Sequence, residues 1–211
     1  MLGDVLLINE NHKKAARQIL EYLEGIPDQK LVLAIGGESG SGKTELAHLV
    51  ARGLKARGTP AKVMHIDNYY LTPPAERTPW RKAHGLDAIG YTEYDWEAIN
   101  RNIGDFYEDA DEVVMPCIDL LTDQVDQLHT SLAGFQYLII EGLYAVKAEA
   151  DLKILLELTY HKTKGAQIKR GKEPTNEYRW QVLKREHEVV QSLRPRADLL
   201  VTEDFQLVQR E

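Results

Sequence analysis

Short, mainly apolar runs, unbroken at 31–35, alternate along this chain with segments in which apolar residues recur every three or four positions. The runs fall at 31–35, 61–66, 135–140, 152–158 and 197–201. Runs of that length, bounded by turn residues, predict strands buried on both faces. Between them lies helical spacing. Residues 9–25 set Ala15, Ala16, Ile19, Leu20 and Leu23 among charges, the pattern of an amphipathic helix laid on a domain. From Lys43 to about residue 57, Leu46, Leu49, Val50 and Leu54 mark a second helix, which Gly58 stops. A third helix is expected from Tyr94 or Asp95 to about Tyr107, and a long fourth over 175–192. Strands alternating with helices predict an α/β fold with a mainly parallel sheet.

Three stretches break the rhythm. Residues 112–130 read as two short strands around 121–124, a β-hairpin set apart from the main sheet. Residues 68–90 are rich in proline, aromatic and basic residues with little periodicity, which predicts an irregular functional loop. Residues 159–173 are basic and contain two glycines. No repeat, low-complexity tract or linker divides the chain, so residues 1–211 read as a single domain.

Composition narrows the partners. A net charge of −7 lacks the broad basic surface of a general nucleic-acid binder. The single cysteine, Cys117, lies in an apolar stretch; it can form no intrachain disulfide, and it reads as a small core or strand residue. The N-terminus has neither the basic start nor the apolar core of a signal peptide. No apolar run approaches the roughly 20 residues that span a bilayer. The expectation is a cytoplasmic protein with no nucleic-acid or membrane partner.

The chemistry is concentrated after the first strand. Gly37-Glu38-Ser39-Gly40-Ser41-Gly42-Lys43-Thr44 fits the spacing G-x-x-x-x-G-K-[ST]. Glycines let backbone N–H groups turn inward around phosphates, and the following helix points its positive end at the same anion. Lys43 is placed to reach the terminal phosphates, and Thr44 to offer its hydroxyl to Mg²⁺. The setting, a buried strand before and an amphipathic helix after, predicts a nucleoside triphosphate site built from residues 37–44. No guanine-reading Asn/Thr-Lys-x-Asp follows, which favours ATP. Two acids end strands on the side where doubly wound sheets bind ligands: Asp67 and Glu141. Glu141 suits Mg²⁺. Asp67 suits a base for an attacking alcohol, or a further metal ligand.

These segments, with His65-Ile66-Asp67-Asn68-Tyr69-Tyr70, Ile139-Ile140-Glu141-Gly142-Leu143, Arg170-Gly171-Lys172 and Arg196-Ala197-Asp198-Leu199-Leu200-Val201, resemble the uridine kinase–phosphoribulokinase–pantothenate kinase group. The resemblance runs in order from about residue 31 to 202. It implies a three-layer α/β/α P-loop NTPase fold, with the small hairpin and a short basic lid at about 159–173. It implies ATP-dependent phosphorylation of a small hydroxyl-bearing molecule, with Asp67 as catalytic base and Tyr70 near the acceptor. Thr44, Glu141 and Asp67 would form the magnesium site, Lys43 and Arg170 would act in transfer, and Lys172 would join the lid over the nucleotide. Self-association also goes with the group.

Departures from the pattern fall on the acceptor side. Uridine kinases carry Tyr-Asp-Phe and then a histidine in the hairpin. Here residues 118–123 are Ile-Asp-Leu-Leu-Thr-Asp, keeping only Asp119. Lys162, Lys164 and Lys169 stand where paired lid arginines are expected. Arg77, Arg81 and His84 would suit an anionic acceptor, and Trp80, Tyr91 and Tyr94 a ring. Residues 67–77 are also somewhat similar to P-loop glycerate kinases. A nucleoside leads as acceptor from the resemblance. A sugar-like or acidic alcohol such as glycerate stays open, as does a non-catalytic nucleotide-binding regulator.

Overall fold

A computed structural model describes residues 5–27, 29–170 and 176–210, with the backbone alone for 166–170. Its centre is a six-stranded sheet in the order β2-β5-β1-β6-β7-β8. The strands are β1 (Leu31–Gly37), β2 (Ala61–His65), β5 (Tyr137–Gly142), β6 (Leu152–Leu156), β7 (Leu199–Val201) and β8 (Leu207–Gln209). The first five are parallel; β8 returns antiparallel on β7.

Strand β1 is buried along its whole length, as its unbroken apolar run requires. Its side chains divide by the two-residue period of a strand. Leu31, Leu33 and Ile35 join a core beneath α1 (Glu10–Glu24) and α2 (Lys43–Ala56). Val32 and Ala34 join a second core beneath α4 (Trp96–Tyr107) and α6 (Glu177–Leu193). Helices thus cover both faces, giving the expected three-layer α/β/α arrangement around a mainly parallel sheet.

Helix starts follow their capping residues. Asn9 accepts the His12 amide at 3.1 Å, and His12 Nδ1 in return accepts the Asn9 amide at 3.3 Å. Asp95 accepts the Ala98 amide at 2.9 Å and begins α4. The hairpin expected over 112–130 is β3 (Val113–Asp119) and β4 (Gln124–Thr130), which among the described residues pair only with each other. Asn68 ties it to the body by accepting the Ile118 amide at 3.1 Å.

The structure corrects the sequence expectation in three places. Residues 68–90 contain a helix, α3 (Pro74–His84). Its one fully buried residue is Arg81, so there was no apolar stripe to betray it, and Pro73, Pro74 and Pro79 read as loop. Proline is at home in a first helical turn, where its missing N–H has no partner to lose. Much of the basic stretch after β6 is also helical, α5 (Tyr160–Arg170). Strand β8 escaped because it is three residues long with two of them exposed. Among the described residues no helix is long and apolar enough to cross a membrane.

Candidate functional site

Strand β1 runs out at Gly37, and α2 starts at Lys43. The turn between them needs glycine most at position 42. Its φ is +93°, and a Cβ there would lie 2.4 Å from Nε2 of His12. The buried ring of His12 therefore backs the turn from α1. Lys43 is 8% exposed.

Glu38 and Ser39, expected to hold nucleotide, are occupied with the helices that follow β6. The buried Glu38 carboxylate accepts the Tyr160 amide at 2.7 Å and Gln191 Nε2 at 3.2 Å. His187 Nδ1 lies 2.7 Å from Glu38 Oε1, the oxygen that also takes Gln191; a carboxylate oxygen can only accept, so Nδ1 carries the proton. The Ser39 carbonyl accepts the Thr163 hydroxyl at 2.9 Å, and Arg179 Nη2 donates to Ser39 Oγ at 3.4 Å. These five contacts pin α5 and α6 to the phosphate turn. Arg179 went unnoticed in the sequence; the available signal was its position in the first turn of the helix expected over 175–192.

Beside this turn stand two strand-end acids. In the β2–β5 register His65 faces Glu141. The Glu141 carboxylate is 2% exposed. It accepts the Thr44 hydroxyl at 3.2 Å, and His65 Nδ1 lies 2.5 Å from Oε1. Burial alone would raise its pKa. The His65 bond and charge, the Lys43 charge and the Thr44 bond outweigh burial and hold it below the usual carboxylate range. His65 is the second residue that sequence reasoning missed; only strand pairing brings it to Glu141.

Asp67 sits in the 3-10 turn Ile66–Tyr69 that follows β2. The turn lies hard against the end of β5. A Cβ on Gly142 would be 2.2 Å from Ile66 Cγ1 and 3.4 Å from Asp67 Oδ1. Asp67 Oδ1 accepts the Tyr94 hydroxyl at 3.2 Å. The Tyr94 ring packs on Tyr70 with centroids 4.1 Å apart and meets Tyr144 edge-on at 5.6 Å. Burial, then the nearby Asp67 charge, pushes the Tyr70 hydroxyl pKa up. Burial likewise raises Tyr94 and Tyr144. All three therefore keep their protons at neutral pH and can donate.

The Arg77 guanidinium lies 3.4 Å above the Tyr70 ring. Its Nε and Nη2 are buried with no hydrogen-bond partner among the described residues. Arg81, expected to meet an anionic acceptor alongside it, is instead consumed within the protein. It donates to both oxygens of Glu93, at 2.6 and 2.9 Å, and to Glu186 at 3.3 Å. All three side chains are buried.

The other expected acceptor residues lie in different settings. His84 is exposed at the end of α3, stacked on Trp80 with Nδ1 2.8 Å from the Trp80 carbonyl. Tyr91 is 37% exposed, with Lys147 Nζ 5.3 Å over its ring. Asp119 Oδ1 accepts the Leu121 amide at 2.8 Å and so holds the hairpin turn. In α5, Lys162 pairs with Glu203 and Lys164 lies over Trp180. Arg170 ends α5; its side chain, and Lys172 entirely, lie outside the described residues.

The turn after β1, the buried Glu141 and the turn carrying Asp67 lie side by side at the carboxyl ends of β1, β5 and β2. The family model "Phosphoribulokinase / Uridine kinase family" matches residues 32–164. The chain is 25% identical over 209 residues to the bifunctional alpha-galactosidase/sucrose kinase AgaSK of Mediterraneibacter gnavus. That alignment takes in 91% of this chain but spans only 22% of the relative's length. Among solved structures, a possible uridine kinase from Bacillus stearothermophilus superposes with a TM-score of 0.61 at 20% identity, over 89% of this chain and 97% of that one. Phosphoribulokinase from Rhodobacter spheroides gives 0.60 at 14% identity, over 82% and 70%. The chain belongs to the phosphoribulokinase/uridine kinase family of small-molecule kinases.

Proposed function

We propose that this kinase uses magnesium and ATP to phosphorylate a hydroxyl of a sugar-like polyol. The observation that carries the reading is the convergence of Thr44, Glu141 and Asp67 at the ends of α2, β5 and β2. It gives one site both a metal-binding pair and a base.

The residues fit the groups they would hold. At Gly42 the left-handed backbone and the His12 ring behind it both exclude a Cβ, which lets the turn close tightly enough to aim its amides at a phosphate. Thr44 and Glu141 offer hard oxygen donors, the kind magnesium takes. Among the described residues no three His, Cys, Asp or Glu side chains form a metal cluster, so phosphate oxygens and water would complete the shell. Magnesium bound there would offset negative charge on the phosphates.

In the mechanism, Asp67 accepts the proton of the attacking hydroxyl. The Tyr94 bond to Oδ1 fixes the carboxylate while leaving Oδ2 for that proton. The hydroxyl oxygen bonds to the γ-phosphorus as the bond from phosphorus to the β–γ bridging oxygen breaks, and ADP leaves. Lys43 and Arg179, both at the phosphate turn, offset charge on the transferring oxygens; Arg170 and Lys172 are proposed to join them from the lid. Tyr70 and Arg77 line the acceptor side.

Two facts support a sugar-like acceptor. Residues 118–123 of the hairpin lack the aromatic and histidine that uridine kinases carry there, and the curated relative includes a sucrose kinase. Use of ATP fits a cytoplasmic setting. A coupled ADP-release assay over neutral sugars, polyols, sugar acids and nucleosides tests the proposal. Asp67→Asn should keep ATP affinity and lose turnover. Undiminished turnover in that variant rejects the mechanism, and nucleosides as the sole acceptors reject the sugar reading.

A further inference from the structure

We infer that the acceptor carries an oxyanion, a carboxylate or a phosphate ester, besides the hydroxyl it presents to Asp67, and that Arg77 binds that anion. The inference rests on the kinase reading above and names the acceptor class of the same site.

Arg77 is the argument. A guanidinium has five donors and no means of losing its charge. Leaving such donors buried and unbonded is costly, yet Nε and Nη2 of Arg77 have no partner among the described residues. These two atoms form one edge of the guanidinium, the edge that grips both oxygens of a carboxylate or phosphate. Stacking at 3.4 Å on Tyr70 holds the plane, and so fixes where the edge points. Tyr70 packs on Tyr94, whose hydroxyl bonds Asp67. One stack of aromatic rings therefore connects the anion-binding edge to the base.

Neighbouring charges assign Arg77 to the acceptor rather than to the protein or the nucleotide. Arg81, one helical turn further along α3, has its charge met by Glu93 and Glu186; no carboxylate among the described residues pairs with Arg77. On the phosphate side the arginine in contact is Arg179, through Ser39. The hydroxyl of Tyr144 is also buried and unpartnered among the described residues, beside Tyr94.

The test compares acceptors matched in carbon skeleton: glycerol, glycerate and glycerol phosphate, then glucose, gluconate and glucose 6-phosphate. Wild-type kcat/KM should favour an anionic member of a set over its neutral partner by about 10- to 100-fold, the worth of hydrogen bonds to a charged group. The carboxylate and phosphate arms tell which anion is read. Arg77→Gln should raise KM for that acceptor by a similar factor while KM for ATP holds, which also shows the variant is folded. Arg77→Lys should recover part of the loss. Preference for neutral members overturns the inference and leaves the kinase reading standing. So does an equal fall in kcat for neutral and anionic acceptors in Arg77→Gln, which would place Arg77 on the transferring phosphoryl group. Turnover of a nucleoside or another neutral sugar but of no member of these sets overturns the inference alone; failure with every acceptor of the wider panel, ATP still bound, removes the kinase reading with it.

Discussion

His65 and Glu141 end adjacent parallel strands in register, with Nδ1 of one 2.5 Å from Oε1 of the other. The pair sets the charge of the acid that faces the phosphate turn. Glu141 has a depressed pKa in the folded protein. Its stabilising contribution is therefore present above the unfolded value near 4.5 and is lost as pH falls through the lower folded value. Urea titrations of wild type and Glu141→Gln should differ most at neutral pH and converge below about pH 4. A gap that stays constant with pH would contradict the assignment.

Replacing His65 by Ala removes a donor from a buried carboxylate, at a cost of about 1–3 kcal/mol. The acid limb of the kcat/KM profile should move to higher pH, because the group that lowers Glu141 is gone. The apparent magnesium requirement should rise with it. An unmoved acid limb in an intact variant would separate His65 from the site.

Gly142→Ala tests the approach of the Asp67 turn to β5. The new methyl would overlap Ile66 Cγ1 at 2.2 Å, and overpacking of this kind costs about 1–3 kcal/mol. The turn carrying Asp67 has to shift to relieve it. Turnover should fall by more than tenfold, the sensitivity of transfer to about an ångström of misplacement, while KM for ATP changes little. Equal loss of both would point to general unfolding.

The Arg81–Glu93–Glu186 cluster joins α3, the turn before α4, and α6. Arg81→Met leaves two buried carboxylates short of a cation, so the loss in urea stability should reach about 3–5 kcal/mol. Arg81→Met with Glu93→Leu should recover much of it, since replacing a whole buried pair is cheaper than breaking it. Additive losses in the double variant would show the two residues to be independent.

Glu38→Gln tests how the phosphate turn is tied to α5 and α6. The change weakens the acceptor for His187 and the Tyr160 amide. KM for ATP should rise several-fold, and protease cleavage within 159–175 should quicken. Unaltered cleavage would show that Glu38 does not hold those helices.

What the sequence reveals and what it conceals have separate physical causes. Strand β1 announces itself because a strand buried on both faces is apolar throughout, and β5 and β6 are close to that limit. The phosphate turn is legible because its glycines and Lys43 are consecutive. Asp67 and Glu141 are legible because they end strands. Helix α3 is concealed because the residue it buries is Arg81. His65 becomes visible only when β2 is laid beside β5, and Arg179 only when α6 is laid on Ser39. The same reading puts Arg77 and Arg81 together as acceptor cations. Only the packing separates the one neutralised by Glu93 from the one left unpaired. Contacts that cross between elements have no period in the sequence.

The ring of His12 behind Gly42 makes an N-terminal helix part of the proposed nucleotide cradle. Residue 12 and residue 42 belong to different secondary elements, and nothing in the phosphate-binding motif mentions the first. A protein trimmed to begin at β1 would keep every residue of that motif. It would have lost the wall against which the turn is pressed, so shortening this chain from its N-terminal side and weakening its hold on nucleotide are one operation.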